Sequence, residues 1–159
     1  MRLVRDHAAV ESTARAVDRM LAELRERLVG ATLPLALYHA DLRAKHVQVD
    51  QDGSVLGYLD WGASEELFLP YVDLLHLVAH QRKQEEGCSA ARTWQLIRER
   101  HELREHEREP LARPAREPGL DENVRAALEL AYPVLVAGMA ERNWDYSRPR
   151  WVHRQFGLG

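Results

Sequence analysis

The sequence predicts a mainly helical α+β fold, in which helices surround one small β-hairpin. Apolar residues recur every three or four positions in long stretches on either side of the centre, a period typical of amphipathic helices. In the centre, apolar and polar side chains alternate before Gln51-Asp52-Gly53 and an apolar run follows it, a pattern typical of two strands joined by a turn. At 159 residues the chain is long enough for one core, so we expect a single domain over 1–159.

The N-terminal stretch predicts a leading helix within residues 1–30. Asp6 can cap its start, and Gly30 stands where a C-terminal glycine often ends a helix. The run 35–38 is short and apolar, which predicts a buried strand. The stripe that supports the helix consists of Val10, Ala14, Val17, Leu21, Leu24 and Leu28.

The second half of the chain is predicted to be helical. Pro70 opens a helix that we expect to reach about Arg82, and another is expected from about Ser89 to Arg108. The charge run 98–109 predicts a solvated helix face, and three prolines predict a loop over 109–119. A last helix is expected from near Asp121, with a kink at Pro133. Four aromatic residues of the tail are expected to close over the core: Trp144, Tyr146, Trp151 and Phe156.

Composition excludes several classes of protein. The formal net charge of −3 gives no bulk attraction to nucleic acid or to an anionic membrane, so neither is expected as a partner. No apolar run approaches the roughly 20 residues of a membrane span, and the first residues lack a signal-peptide core. The single cysteine, Cys88, excludes an internal disulfide and a cysteine-based zinc site. A cytoplasmic protein is expected.

Two aspartates flank the predicted hairpin in a way that suggests phosphoryl transfer. Asp41 lies in a polar stretch before the first strand, and Asp60 follows the second strand. In kinase-type transfer, one loop aspartate orients the acceptor hydroxyl, a metal ligand follows five residues later, and a second aspartate after a hairpin holds magnesium. Both carboxylates must converge on one phosphoryl group, and a tight hairpin between them can fix that geometry.

Three motifs in this region together resemble the aminoglycoside phosphotransferase family of kinase-like enzymes. His39-Ala40-Asp41-Leu42, with His46-Val47-Gln48-Val49-Asp50, is similar to its His-Gly-Asp-Leu and Asn-Val-Leu-Val-Asp segments. Gly57-Tyr58-Leu59-Asp60-Trp61 resembles the strand that ends in its Asp-Trp pair. Pro70-Tyr71-Val72-Asp73-Leu74 resembles its Pro-x-x-Asp-Leu. The resemblance covers about residues 35–77.

The resemblance implies a protein-kinase-like C-terminal catalytic lobe. Residues 1–30 would be the leading helix, 31–82 the catalytic loop, hairpin and following helix, and 83–159 a helical region on the substrate side. The implied activity is ATP- and magnesium-dependent transfer of a phosphoryl group to a hydroxyl of a small, antibiotic- or sugar-like molecule.

The resemblance also implies roles for individual residues. Asp41 is expected to be the catalytic base or orienting carboxylate, and His39 to support the loop around it. Asp60 is expected to be the main magnesium ligand. Asp73 is expected to brace the backbone of the catalytic loop. His46 stands where the family usually has asparagine as second metal ligand, and because imidazole suits magnesium poorly we expect weaker occupancy there.

Two further groups of residues leave their interpretations open. Arg43 follows Asp41 by two residues, where protein kinases often carry a lysine facing the phosphate, so it can contact phosphate or form a surface salt bridge. His76 and His80 lie one helical turn apart, but no nearby Glu or Cys completes a metal site, so a polar helix face is expected.

The family's N-terminal lobe has no counterpart in this sequence. Before His39 there is one glycine, Gly30, and no lysine, whereas the nucleotide site of a kinase needs a glycine-rich loop and a strand lysine. The chain alone is therefore expected to be inactive. It is either part of a longer enzyme, completed by a partner, or a kinase-like binding or assembly module. The face left by an absent lobe would be apolar, so self-association is also expected.

Overall fold

A computed structural model describes residues 11–100, 102–112 and 120–142. This part of the chain is mixed α+β and mostly helical, as the sequence predicts, and it contains two small two-stranded sheets. Its elements, in chain order, are α1 (Glu11–Leu28), β1 (Ala36–Tyr38), β2 (Val47–Val49), β3 (Val55–Tyr58), β4 (Glu65–Phe68), α2 (Pro70–Glu86), α3 (Ala90–Glu99), α4 (Glu105–Ala112) and α5 (Glu122–Arg142).

The predicted hairpin is confirmed. Strands β2 and β3 pair antiparallel, with Val47 opposite Tyr58. The carboxylate of Asp50 accepts hydrogen bonds from the amides of Asp52 and Ser54, which closes the turn. This side-chain mimic of a turn is what Asp supplies between strands.

A second sheet was not predicted from the sequence. Strand β4 pairs antiparallel with β1, with Ala36 opposite Phe68, and the rings of Tyr38 and Phe68 lie 4.6 Å apart. Strand β4 has the sequence Glu65-Glu66-Leu67-Phe68, which is too short and too polar to show a period of its own. It forms because β1, distant in sequence, offers it a partner.

Helix α2 is the centre of the core. Its residues Val72 and Leu75 are fully buried, and it packs against α3, α4, α5 and β1. Helix α1 packs against α5, where Leu24 meets Ala127 and Leu130 in a second apolar cluster.

The boundaries of α1 and α2 follow local signals. Gly30 adopts φ +78° two residues after α1 ends, in keeping with its predicted role. Pro70 is the first residue of α2, and Gly87, with φ +66°, ends that helix four residues beyond the expected boundary near Arg82. Residues 1–10, and with them the predicted Asp6 cap, lie outside the described residues.

The single helix expected from Ser89 to Arg108 is wrong, because the chain forms two helices there. Helix α3 ends at Glu99, and Arg100 takes the left-handed conformation with φ +56°. Helix α4 then begins, and the carboxylate of Glu107 accepts a hydrogen bond from the Arg104 amide at 2.7 Å. Such a reach back to the residue before a helix is one half of a capping box, and it fixes the new start.

The solvated face predicted for 98–109 is also wrong at Glu107, which is buried. Its two carboxylate oxygens accept hydrogen bonds from Nε and Nη2 of buried Arg82, at 2.6 and 2.7 Å. Arg82 Nη2 also donates to the Glu102 carbonyl. A buried carboxylate needs such a charged, two-pronged partner to offset its lost hydration.

The proline-rich loop begins later than expected. Helix α4 continues through Pro110 to Ala112, so residues 109–112 are helical, and 113–119 lie outside the described residues. Asp121 caps α5 by accepting the Val124 amide at 2.8 Å, and that helix runs on through Pro133. The predicted kink at Pro133 stays a prediction.

Within the described residues no helix is both long and apolar enough to cross a lipid bilayer.

The strands expose a large amount of apolar surface. The aromatic tail predicted to cover the core (Trp144, Tyr146, Trp151 and Phe156) lies outside the described residues. The exposed large apolar side chains on and beside the strands are Leu35, Leu37, Val49, Val55, Leu56, Tyr58, Leu59, Trp61 and Leu67.

Candidate active site

Asp73 of α2 is hydrogen-bonded to the backbone of the loop between β1 and β2. Its two carboxylate oxygens accept hydrogen bonds from the backbone amides of His39, at 2.7 Å, and Ala40, at 3.0 Å. Burial raises the pKa of Asp73, and the two amide bonds lower it without cancelling that effect. Asp73 therefore braces the backbone of the loop that carries Asp41.

Ala40 takes a backbone conformation that side chains disfavour. Its φ is +69°, in the left-handed region, and its methyl group is buried. The conformation turns the chain so that two successive amides face Asp73. Glycine would adopt it without strain, whereas alanine is strained there by about 1–2 kcal/mol.

Replacing Ala40 by valine is expected to lower the free energy of unfolding by about 2–3 kcal/mol, because a β-branched residue strongly resists positive φ. Glycine at this position is expected to leave stability within about 1 kcal/mol, since the relief of strain is offset by the loss of a buried methyl worth about 0.8 kcal/mol. Urea unfolding of both variants checks this. Equal stability of the valine and glycine variants would contradict it.

His39 joins the loop to the end of β3. Its ring Nε2 lies 2.7 Å from the carbonyl oxygen of Leu59, which fixes Nε2 as the protonated nitrogen, and Nδ1 accepts a longer bond, 3.4 Å, from the Asp41 amide. The ring of Trp61 packs against it at 4.7 Å. His39 therefore links the segment carrying Asp41 to the segment carrying Asp60.

Asp41, His46 and Asp60 converge at one place. One potential ligand atom from each lies within 4.8 Å of the others. Asp60 is largely exposed and left-handed, with φ +63°, a conformation that Asp tolerates better than most residues. His46 is buried, and Asp41 is half-buried.

His46 turns one ring nitrogen, Nε2, toward this cluster. Its Nδ1 lies 2.8 Å from the carbonyl oxygen of Asp41, and since a carbonyl can only accept, Nδ1 carries the hydrogen. The other nitrogen, Nε2, is buried without a hydrogen-bond partner and lies 3.5 Å from an Asp60 carboxylate oxygen. With Nδ1 held by a backbone carbonyl, Nε2 is the nitrogen that could bind a metal ion together with the Asp60 carboxylate.

Arg43 forms an ion pair with Asp41 itself. Its Nε and Nη2 lie 2.7 and 2.5 Å from the same oxygen, Oδ1. Burial raises the pKa of Asp41, but hydrogen bonds from His76 and Arg43 outweigh it and hold that pKa below its ordinary value. The carboxylate is therefore ionised throughout the neutral pH range.

His76 is the member of the site that sequence reasoning missed. The expected polar helix face is wrong for its ring, whose side chain is only 13% exposed and whose Nε2 lies 3.3 Å from Asp41 Oδ1. The sequence does carry one signal. His76 follows Asp73 by three residues, so one helical turn points both toward the same loop.

Comparison of this chain with protein-family models, with curated proteins and with solved structures finds no match in any of the three.

Proposed function

We propose that this chain is the catalytic lobe of an ATP- and magnesium-dependent small-molecule kinase, similar to the aminoglycoside phosphotransferases. The acceptor is a hydroxyl group of a small antibiotic- or sugar-like compound. The observation that carries the proposal is the arrangement of His46, whose Nε2 lies 3.5 Å from the Asp60 carboxylate, with Asp41 beside them. A histidine that binds a metal through one ring nitrogen commonly donates the other N–H to a backbone carbonyl, as His46 Nδ1 does to Asp41.

The donor set fits a divalent cation bound to phosphate. Asp60 and His46 would hold the ion, and the exposure of Asp60 leaves room for phosphate oxygens to complete the coordination. An ion held by these residues would supply positive charge to stabilise the charge that develops on the transferred phosphoryl group.

Asp41 is the residue of this site suited to orient the acceptor. Its lowered pKa keeps it ionised, so it can accept a hydrogen bond from a hydroxyl and direct the oxygen toward the phosphoryl group. Arg43, paired with Asp41, lies where a transferred phosphoryl group would meet a guanidinium. Asp73 and His39 keep the loop backbone and the end of β3 in a fixed relation.

The alternative function is a kinase-like binding or assembly module. The observation that favours it is the exposed apolar surface of the strands, including Leu56, 69% exposed, and Leu67, 71% exposed. Apolar surface of this kind marks a contact with another protein or another lobe. In the kinase proposal, that lobe supplies the remaining nucleotide contacts and comes from further chain or from a partner, such as a second copy.

Magnesium-dependent binding of ATP to this chain, followed by calorimetry, separates the two functions. The kinase proposal expects binding that requires magnesium and that Asp60→Asn reduces by about tenfold or more, in the range seen when a metal ligand's environment is disturbed. Asp52→Asn is the matched control, because Asp52 is equally exposed but lies in the hairpin turn, and it is expected to bind as the original chain does.

Equal binding by the Asp60→Asn variant would contradict the assignment of Asp60 as metal ligand. Absence of nucleotide binding in every variant, with or without magnesium, would favour the binding-module alternative for this chain.

A further inference from the structure

Hydrogen bonds from neighbouring side chains hold the Asp41 carboxylate through one of its two oxygens. Oδ1 accepts hydrogen bonds from Nε and Nη2 of Arg43 and from Nε2 of His76, at 2.7, 2.5 and 3.3 Å. Among the described residues, no side chain or amide donates to Oδ2. Three donor atoms, from Arg43 and His76, thus fix the direction of the carboxylate beside His46 and Asp60.

The other nitrogen of the His76 ring makes a hydrogen bond as well. This nitrogen, Nδ1, lies 3.1 Å from the hydroxyl oxygen of Tyr132 in α5. Because the Asp41 carboxylate can only accept, Nε2 carries a hydrogen, and Nδ1 shares a second hydrogen bond with the Tyr132 hydroxyl. Burial raises the pKa of Tyr132, so its hydroxyl keeps its proton.

The resulting chain of hydrogen bonds runs from α5 through α2 to the loop. Tyr132 orients His76, and His76 orients Asp41. The same helix, α2, carries Asp73, which holds the backbone of this loop. One rigid helix therefore sets both the backbone before Asp41 and the direction of its side chain.

From this geometry we infer that His76 is a positioning residue for Asp41. It shares Oδ1 with Arg43 and so fixes the direction of the carboxylate that lies beside His46 and Asp60. The inference rests on the proposed function, because it concerns the same site. It adds that the direction of the carboxylate is set from the helical core and not by the loop alone.

Two amide substitutions separate the two hydrogen bonds of the ring. In His76→Gln the side-chain amide reaches the place of Nε2 and can still donate to Asp41. In His76→Asn the shorter amide reaches only the place of Nδ1, so the bond to Tyr132 can persist while the bond to Asp41 is lost. Both variants stay polar and similar in size, so both suit the buried site. His80→Asn is the matched control, one turn further along α2, where the ring lies 6.2 Å from that of His76, tilted to it, and makes no hydrogen bond to Asp41.

The measurement is binding of Mn²⁺, followed by the electron-paramagnetic resonance signal of the free ion. We expect His76→Asn to weaken binding about tenfold, at the lower end of the range for loss of an outer partner, and His76→Gln and His80→Asn to leave it within about twofold. In an Asp41→Asn background, His76→Asn is expected to have no further effect. A double-mutant cycle of this kind shows whether one residue acts through the other.

Three results would overturn the inference. His76→Asn may bind Mn²⁺ as the original chain does, or it may weaken binding equally in the Asp41→Asn background, which would make its role only structural. In both cases loss of binding in Asp60→Asn still supports the proposed function. Absence of Mn²⁺ binding by the original chain would overturn the inference together with the metal site.

Discussion

Replacing Asp73 by alanine is expected to lower the free energy of unfolding by about 3 kcal/mol. The change leaves the buried amides of His39 and Ala40 without acceptors, and each unsatisfied buried donor costs about 1–3 kcal/mol. Burial raises the pKa of Asp73, so its charge opposes folding at neutral pH, and the net loss is smaller than two full penalties.

Urea unfolding of a short series checks this expectation. Asp73→Asn keeps one acceptor and is expected to lose about half as much as Asp73→Ala. Asp52→Ala, exposed in the hairpin turn, should stay within about 0.5 kcal/mol of the original chain. If Asp73→Ala unfolds at the same urea concentration as Asp52→Ala, the hydrogen bonds of Asp73 do not stabilise the loop and the expectation is wrong.

The ion preference of the site is the second large effect. Because His46 offers a nitrogen where an oxygen ligand suits magnesium better, we expect this chain to bind Mn²⁺ about tenfold more tightly than Mg²⁺. His46→Asn replaces the imidazole by an amide that can donate to the Asp41 carbonyl and present oxygen to the ion. The variant is expected to bind Mg²⁺ more tightly than the original chain, and the preference for Mn²⁺ should fall severalfold.

Competition between the two ions, measured by the signal of free Mn²⁺, gives both affinities in one titration. His106→Asn is the control, since His106 is exposed on α4, away from the site, and its replacement should change neither affinity. The hypothesis of weak magnesium occupancy does not survive if the original chain binds Mg²⁺ as tightly as the His46→Asn variant.

The parts of the fold that the sequence predicted are those with local signals. Gln51-Asp52-Gly53 marks the hairpin, and Pro70 marks the first residue of α2, and both elements lie where expected. The convergence of Asp41 and Asp60 follows from the same hairpin, because a tight two-strand connection returns the chain to its starting point.

The parts that the sequence did not predict depend on partners distant along the chain. Strand β4 forms against β1, and the start of α4 depends on Glu107, whose burial is compensated by Arg82 from another helix. The role of His76 was not predicted for the same reason, since it depends on hydrogen bonds with Asp41 and Tyr132 and not on the residues next to it in sequence. The pattern of one sequence indicates the period of its apolar residues and the propensity for helix or strand. It does not indicate which distant side chains will be in contact in the fold.

The buried pair of Arg82 and Glu107 constrains how this chain can diverge. Loss of either member alone strands a charge inside the protein, at a cost of about 3–5 kcal/mol, whereas exchange of both for apolar residues of similar volume is often neutral. Viable descendants of this sequence should therefore keep both residues or change both. Covariation between positions 82 and 107 among descendants would be the mark of this contact, and it would reveal the boundary between α3 and α4 to a reader who had only their sequences.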